Sequence, residues 1–531
     1  MANKYWAAGV SGNWNSTASW SDFAIGTPAG AVVPGAGDAA IFNAASGTVT
    51  ATLDISPDVQ TLTMTGFTGT LAFGTNTISL NSTGTVFTGV TTMTVTGTPQ
   101  IILTNNSATA RTITPAVVTE ANSISFRITA GTGTLGLTAG SYRNLDFTDG
   151  VNPTGYGGAL TGSTSISIYG DLKASTNMTV GSGGGVFTFA ATSGTKTITT
   201  AAVVFDKPFT FNGVGGSWQL QDALTSGASR TCTLTNGTLD LNGYVLSTGL
   251  FSSTNSNTRT LAFGAGKIVV TGVNVTIFNI GTSTGMTVSG TNPLVEATGA
   301  GTGGQTRAVA MGRTFSTPEA YSISLTVNNG ADLISFSGGG AASRNVSFVG
   351  FTGTFTIAQA QVVYGNWNFG GVTSMTGTAS ITFGATSGTK TITSNSVTFS
   401  NAISISGIGG TFACQDALSV IGALSMTDGT LQLAAGTTST VGSFVTTGTT
   451  LKYLQSTTPG TQATISDASG TDSVSYLYIQ DSNATGGAAW DANDATNVDA
   501  GNNTGWFFAP TPSVSNEITM RLRSFTQPRR F

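Results

Sequence analysis

Two aspartates, Asp222 and Asp416, sit in identical Gln-Asp-Ala-Leu tetrapeptides. Paired carboxylates are the side chains here best suited to bond cleavage, because glycoside hydrolysis needs two Asp or Glu roughly 5–10 Å apart across a groove. Other chemistries are poorly supplied. The 531-residue chain has no histidine, which removes Ser–His and Cys–His nucleophile pairs and the commonest metal ligand. Glycine runs such as Gly183-Gly184-Gly185 lack a following Lys-Ser/Thr at a helix start, so they do not cradle phosphate. The two aspartates recur because the segment around them recurs. They read best as one repeated turn, with the carboxylate bonding nearby backbone amides. The chain is therefore expected not to be an enzyme and to need no cofactor.

Three further groups could bind something. Asp491, Asn493, Asp494, Asn497, Asp499, Asn502 and Asn503 offer oxygen ligands for Ca²⁺, but no Glu closes an EF-hand loop, and Asp and Asn are ordinary turn formers. The tail carries Arg521, Arg523, Arg529 and Arg530, four of the 19 basic residues, beside Phe525 and Phe531. In so charge-poor a chain this is a candidate docking peg for an acidic partner, with the phenylalanines as anchors. Cys232 and Cys414 occupy non-equivalent positions in the repeat and are expected as small buried apolar side chains.

The elements that must position these residues are strands. Residues 192–224 and 386–418 are near copies at a constant offset (416 − 222 = 194). Leu234–Leu239 matches Met426–Leu431, Tyr169-Gly170-Asp171 matches Tyr364-Gly365-Asn366, and Arg143-Asn144-Leu145 matches Arg344-Asn345-Val346. Gly66–Thr70 is echoed at Gly350–Thr354, whereas residues 252–340 fit the copy least and Gly299–Gly304 reads as a loop or a looser junction. Between turns, runs such as Thr61-Leu62-Thr63-Met64 and Thr77-Ile78-Ser79-Leu80 alternate at period two, and Gly or Asn breaks them repeatedly. No window repeats at 3.6 residues. Low charge, 8% against about 25% in ordinary proteins, could mean disorder. The 29 Phe at strand spacing argue for an ordered chain.

Short, evenly broken strands with a long-period copy predict an all-β, elongated parallel β-solenoid with capped ends and almost no helix. A turn needs roughly 20–25 residues, so the copy spans about eight or nine turns. Some 400 residues would make a rod of about 80–100 Å. Residues 1–45, with Trp6, Trp14 and Trp20, read as the amino-terminal cap and 46–470 as the solenoid. Within it the duplicated segment covers about 143–251 and 344–444. Residues 471–509 read as the last turn and cap, and 510–531 as the Arg-rich tail.

The net charge of −4 argues against nucleic acid. No run of 18 apolar residues suggests membrane insertion. MANKYWAAGVSGNW lacks a charged leader followed by an apolar run, so assembly in a cytoplasm, or delivery by a route other than Sec, is expected.

Both ends resemble a known class. Tyr5-Trp6, Gly12-Asn13-Trp14-Asn15, Trp20, Val33-Pro34 and Asp38-Ala39-Ala40-Ile41-Phe42 resemble the start of many bacteriophage and bacterial-surface β-helix proteins. Asp481–Gly487, Trp490, Asn497-Val498-Asp499 and Gly501–Trp506 resemble the end of solenoid-like virion proteins of tailed phages. The resemblance implies a structural protein of the virion, assembled in the host cytoplasm, with no catalytic motif to carry over. The expected role is a fibre, spike or appendage, a homo-oligomer with a trimer favoured, touching other virion proteins and a host-surface receptor or glycan. A capsid or tail decoration protein, a bacterial adhesin and a glycan-degrading spike are the alternatives.

Overall fold

The computed structural model describes residues 1–25, 31–312, 318–338 and 341–510. Among them the chain is an all-β solenoid of about 20 turns with about 2% helix, as the alternation predicts. In Ile78–Leu80, Ile78 and Leu80 are fully buried while Ser79 faces outward. Three residues suffice for a strand because each strand bonds the turn on either side of it, so the ladder rather than the strand is the cooperative unit. Pairing among the described residues is parallel apart from Ala2–Trp6 with Trp20–Ser21 and the single bridge Thr148–Gly155.

A typical turn contributes three strands. Leu250–Ser252, Arg259–Ala262 and Lys267–Val270 form one; Thr276–Asn279, Met286–Ser289 and Leu294–Ala297 form the next and lie on the first in register. The repeat is 20 residues from Thr50 to Thr70 (70 − 50 = 20) and 27 from Phe251 to Phe278 (278 − 251 = 27). The difference is taken up in corner loops. Inward ladders form the core: Phe187, Phe209, Cys232, Phe251 and Phe278 stack in successive turns. Both cysteines are buried and unbridged, and burial raises both thiol pKa values, that of Cys414 to about 12 with help from nearby Asp416. One corner needs glycine outright. A Cβ on Gly407 would collide with the Ala385 carbonyl, and one on Gly213, its copy, with the Ala191 carbonyl.

Cations are buried where corners would otherwise leave carbonyls without donors. Arg259, 1% exposed, donates to the main-chain oxygens of Ser253, Asn257, Thr282 and Thr284 and to the Ser253 hydroxyl. Arg111 reaches the carbonyls of Asn105 and Ala130. Lys452 reaches those of Gly448, Thr450 and Tyr476. Each head group ties its own turn to the next one.

Aromatics close both ends of the column. Trp6, Trp14 and Trp20 pack around Phe42 at the first turn, where Ala2–Trp6 is already laddered to Asp38–Ile41. At the other end Trp490 and Trp506 cross at 5.1 Å and meet Phe444. Beneath them lies Asp472, 3% exposed, whose Oδ1 accepts from the Phe444 amide at 2.8 Å while Oδ2 has no donor. Burial, with the neighbouring Asp467 carboxylate, raises the Asp472 pKa despite that amide. A raised folded pKa means a stabilising contribution that is fully present below the unfolded value and lost as pH rises through the folded one. Asp472→Asn is therefore expected to raise the melting temperature at pH 7 and to leave it unchanged near pH 3. No gain at pH 7 would show that the carboxylate is better solvated than its burial indicates.

Candidate functional site

The copy marks a device that re-indexes the coil. In the first copy the ladder Gly12–Asn13, Thr50–Thr52, Thr70–Ala72, Thr94–Thr96 ends, and the 3₁₀ turn Glu120–Asn122 lies over its last strand, with Asn122 Oδ1 accepting from the Val95 amide. An uncovered edge strand invites foreign pairing, and the insert blunts it. The next strand, Ile124–Ile128, then faces Gly140–Asp146, whose register breaks at Arg143-Asn144. On either side of that break the strand pairs with two separate strands, Ile166–Ile168 and Leu172–Lys173. One face has closed and its neighbour has divided in two.

The second copy does the same. Among the described residues no later strand is laddered to Met286–Ser289, and the helix Pro318–Tyr321 follows in the chain. Ile323–Val327 faces Ala341–Ser347, and its register breaks before Val346. On either side of the break that strand pairs with Gln361–Val363 and with Trp367–Asn368. The second junction stands on the ladder that runs back from Ala341–Ser347 through Ile323–Val327, Leu294–Ala297, Lys267–Val270, Val245–Thr248, Leu224–Thr225, Phe205 and Val180 to Ala159–Thr161. Ala159–Thr161 follows Gly140–Asp146 in the chain. The two junctions are thus eight turns and one face apart, within the expected eight or nine, and about 40 Å along the axis.

Each junction is clasped by the same side chains. Glu120 Oε2 accepts from the Thr192 amide (3.0 Å) and hydroxyl (2.7 Å); Glu319 accepts from the Thr386 amide (3.2 Å) and hydroxyl (2.6 Å). Arg143 donates to the carbonyls of Glu120 and Ala121, and Arg344 to those of Ala320 and Thr291. Burial lowers the Arg143 pKa, opposed by Glu120. Asn144 and Asn345 each donate to a serine hydroxyl of the preceding strand and accept an amide of the following corner. Around the second clasp lies a polar groove of about 760 Å³, lined among others by Glu319, Arg344, Tyr364, Asn366 and Lys390. Their counterparts in the first copy are Glu120, Arg143, Tyr169, Asp171 and Lys196.

The chemistry anticipated elsewhere is largely occupied by structure. Asp222 accepts from the Thr200 amide (2.7 Å) and hydroxyl (3.0 Å) and from the Ala201 amide (2.6 Å); Asp416 accepts from the amides of Ser394 (2.8 Å) and Asn395 (2.6 Å). The turn reading holds with one change: the amides belong to the preceding turn of the coil, not to neighbours in sequence. The carboxylates pin two consecutive left-handed residues, Ala201-Ala202 and Asn395-Ser396, which side-chain-bearing residues rarely adopt. Asp222→Ala strands those amides and is expected to cost about 1–3 kcal/mol by denaturant unfolding. A smaller loss would mean that water replaces the carboxylate. In the Asp491–Asn503 stretch, Asp491, Asp494 and Asp499 accept amides two residues on, as turn formers do. The docking candidates Arg521, Arg523, Phe525, Arg529, Arg530 and Phe531 lie outside the described residues.

The junction glutamates escaped the sequence reading. The signal was Glu-Ala-x-Ser-Ile-Ser at 120–125 and 319–324, offset by 199 rather than 194 (319 − 120 = 199). No family model, curated protein or solved structure matches the chain.

Proposed function

We propose that the protein is a non-enzymatic rod of a bacteriophage particle, a fibre-like or spike-like appendage that contacts the host surface. The observation that carries this reading is the unbroken apolar column from Trp6 to Trp506, closed by tryptophans at both ends. Such a column resists bending and spends its sequence on length rather than on a pocket. The duplicated carboxylates Asp222 and Asp416 close turns, which disfavours a hydrolytic groove. The likeness of both chain ends to virion β-helix proteins supports the particle, and repeated surfaces along a rod suit avidity.

Immunogold labelling of purified particles tests the reading. Label on a projecting appendage, with adsorption blocked by the antibody, is expected. Label over the capsid shell would make the chain a decoration protein, and absence from particles would refute a virion role. Asp222→Asn and Asp416→Asn are expected to leave adsorption intact. Release of reducing ends from host polysaccharide, lost in either variant, would overturn the non-enzymatic assignment.

A further inference from the structure

The groove at the second junction is left positive by the clasp that builds it. It crosses four successive turns, from Glu319 through Arg344 and Tyr364 to Lys390, about 15 Å along the axis. Arg344 donates only to neutral oxygens, the carbonyls of Thr291 and Ala320 and the Asn292 side chain. Its Nε and one Nη2 hydrogen stay open among the described residues. Glu319 lies against the Thr386 amide and hydroxyl at the wall. Among the described residues no hydrogen bond or ion pair engages the Lys390 ammonium. The lining thus carries +1 (2 − 1), in a chain whose net charge is −4. Around the cations it is hydroxyl and amide. Ser387 and Thr389 are exposed, and no hydrogen bond engages either side chain among the described residues. Asn366 accepts from the Thr391 amide through Oδ1, which leaves its Nδ2 hydrogens to the groove. Tyr364 adds one aromatic ring, and Ala320 is the one aliphatic residue.

We propose that this groove binds an acidic oligosaccharide, one site per chain. A uronate-type carboxylate meets Arg344 and Lys390, ring hydroxyls meet Ser387, Thr389 and Asn366, and the Tyr364 ring takes a sugar C–H face. A sugar fits better than a peptide for two reasons. The lining offers hydrogen bonds and almost no apolar contact. The strands beneath are laddered on both sides, so an extended peptide finds no free backbone edge. The groove holds such a sugar without cutting it, because Glu319 is the one carboxylate of its lining and hydrolysis needs two. The first junction carries Asp171 where Asn366 stands, which cancels its excess positive charge. This deepens the appendage reading and rests on it for where such a sugar would be met. The two fail separately, because binding is measured on the isolated chain and mounting on particles.

The test is calorimetric titration of the full chain with trigalacturonate, beside maltotriose as a neutral sugar and hexaglutamate as an acidic peptide. One saturable site for trigalacturonate is expected, with a dissociation constant of about 1 mM or tighter, weakened by salt. The sugar should be recovered uncut. Lys390→Gln is expected to weaken binding about tenfold. Asn366→Asp should weaken it comparably by adding a like charge. That variant keeps the bond to the Thr391 amide, as Asp171 keeps the one to Thr197. Both variants should therefore melt like the parent, which separates lost binding from lost fold. Lys196→Gln, the same change at the first junction, should leave binding as it was. No saturable binding, maltotriose or hexaglutamate binding as tightly as trigalacturonate, cleavage of the sugar, or equal losses from Lys196→Gln and Lys390→Gln would each overturn the proposal.

Discussion

Asp332→Ala is expected to destabilise the turns around residues 305–337 by about 3–5 kcal/mol, the usual cost of stranding one member of a buried ion pair. Arg307 Nε and Nη2 donate to the two Asp332 oxygens at 2.8 and 2.7 Å, and both side chains are 0% exposed. Nη2 also meets the Asn329 carbonyl, and the guanidinium lies 5.8 Å from the Phe351 ring centroid. Alanine leaves a full positive charge buried with two carboxylate bonds removed. Removing both partners, as Arg307→Met with Asp332→Leu, should cost far less, because desolvation of the pair disappears along with its attraction. A stacked array need not unfold in one step, so amide exchange in these turns is the proper readout beside the denaturant midpoint. A loss below about 1 kcal/mol would show that the site relaxes or floods and that the pair is not the anchor its burial implies.

The second large effect belongs to the amino-terminal closure. Trp20 is fully buried, lies 5.1 Å from Trp6 and 4.8 Å from Trp14, and donates its indole N–H to the Trp14 carbonyl at 2.7 Å. Trp20→Ala is expected to cost about 3–5 kcal/mol locally. It also loosens Trp20–Ser21, the one antiparallel strand over the first turn. The exposed edge of Ala2–Trp6 should then recruit another chain. Concentration-dependent association by light scattering checks this. A variant that stays monodisperse while melting lower would show that the tryptophans supply packing but do not guard the edge.

Much of this fold was legible because its signal is redundant. Alternation survives even in three-residue strands such as Thr61–Thr63, since one inward Leu between two outward Thr already states which face is buried. The long copy told of stacked turns for the same reason. The junctions were not legible, although Arg143-Asn144 and Arg344-Asn345 stood out as echoes. What those arginines hold is main-chain carbonyl oxygen, and carbonyls leave no trace in residue types. The glutamates were hidden by a change of offset, because residues gained or lost in corner loops shift one part of a copy against another. Arg111, Arg259 and Arg307 were unforeseen for a third reason: arginine is normally a surface residue, and its burial becomes favourable only where the fold gathers carbonyls around it, as for Arg111 and Arg259, or a buried carboxylate, as for Arg307.

The paired junctions have a consequence for how such a molecule can be lengthened. Because Arg143-Asn144 and Arg344-Asn345 occupy the same local setting, the 201 residues between them (344 − 143 = 201) form a splice unit with matching ends. Joining Arg143 directly to Asn345 would keep the clasp at the seam, with Glu120 facing Thr386 and Asn345 facing Ser125 in place of Ser324, and inserting another unit would do likewise. Each unit also swings whatever follows it by one side of the triangle. Gene duplication would thus set reach and heading together, like adding a stair flight that always leaves by the next wall.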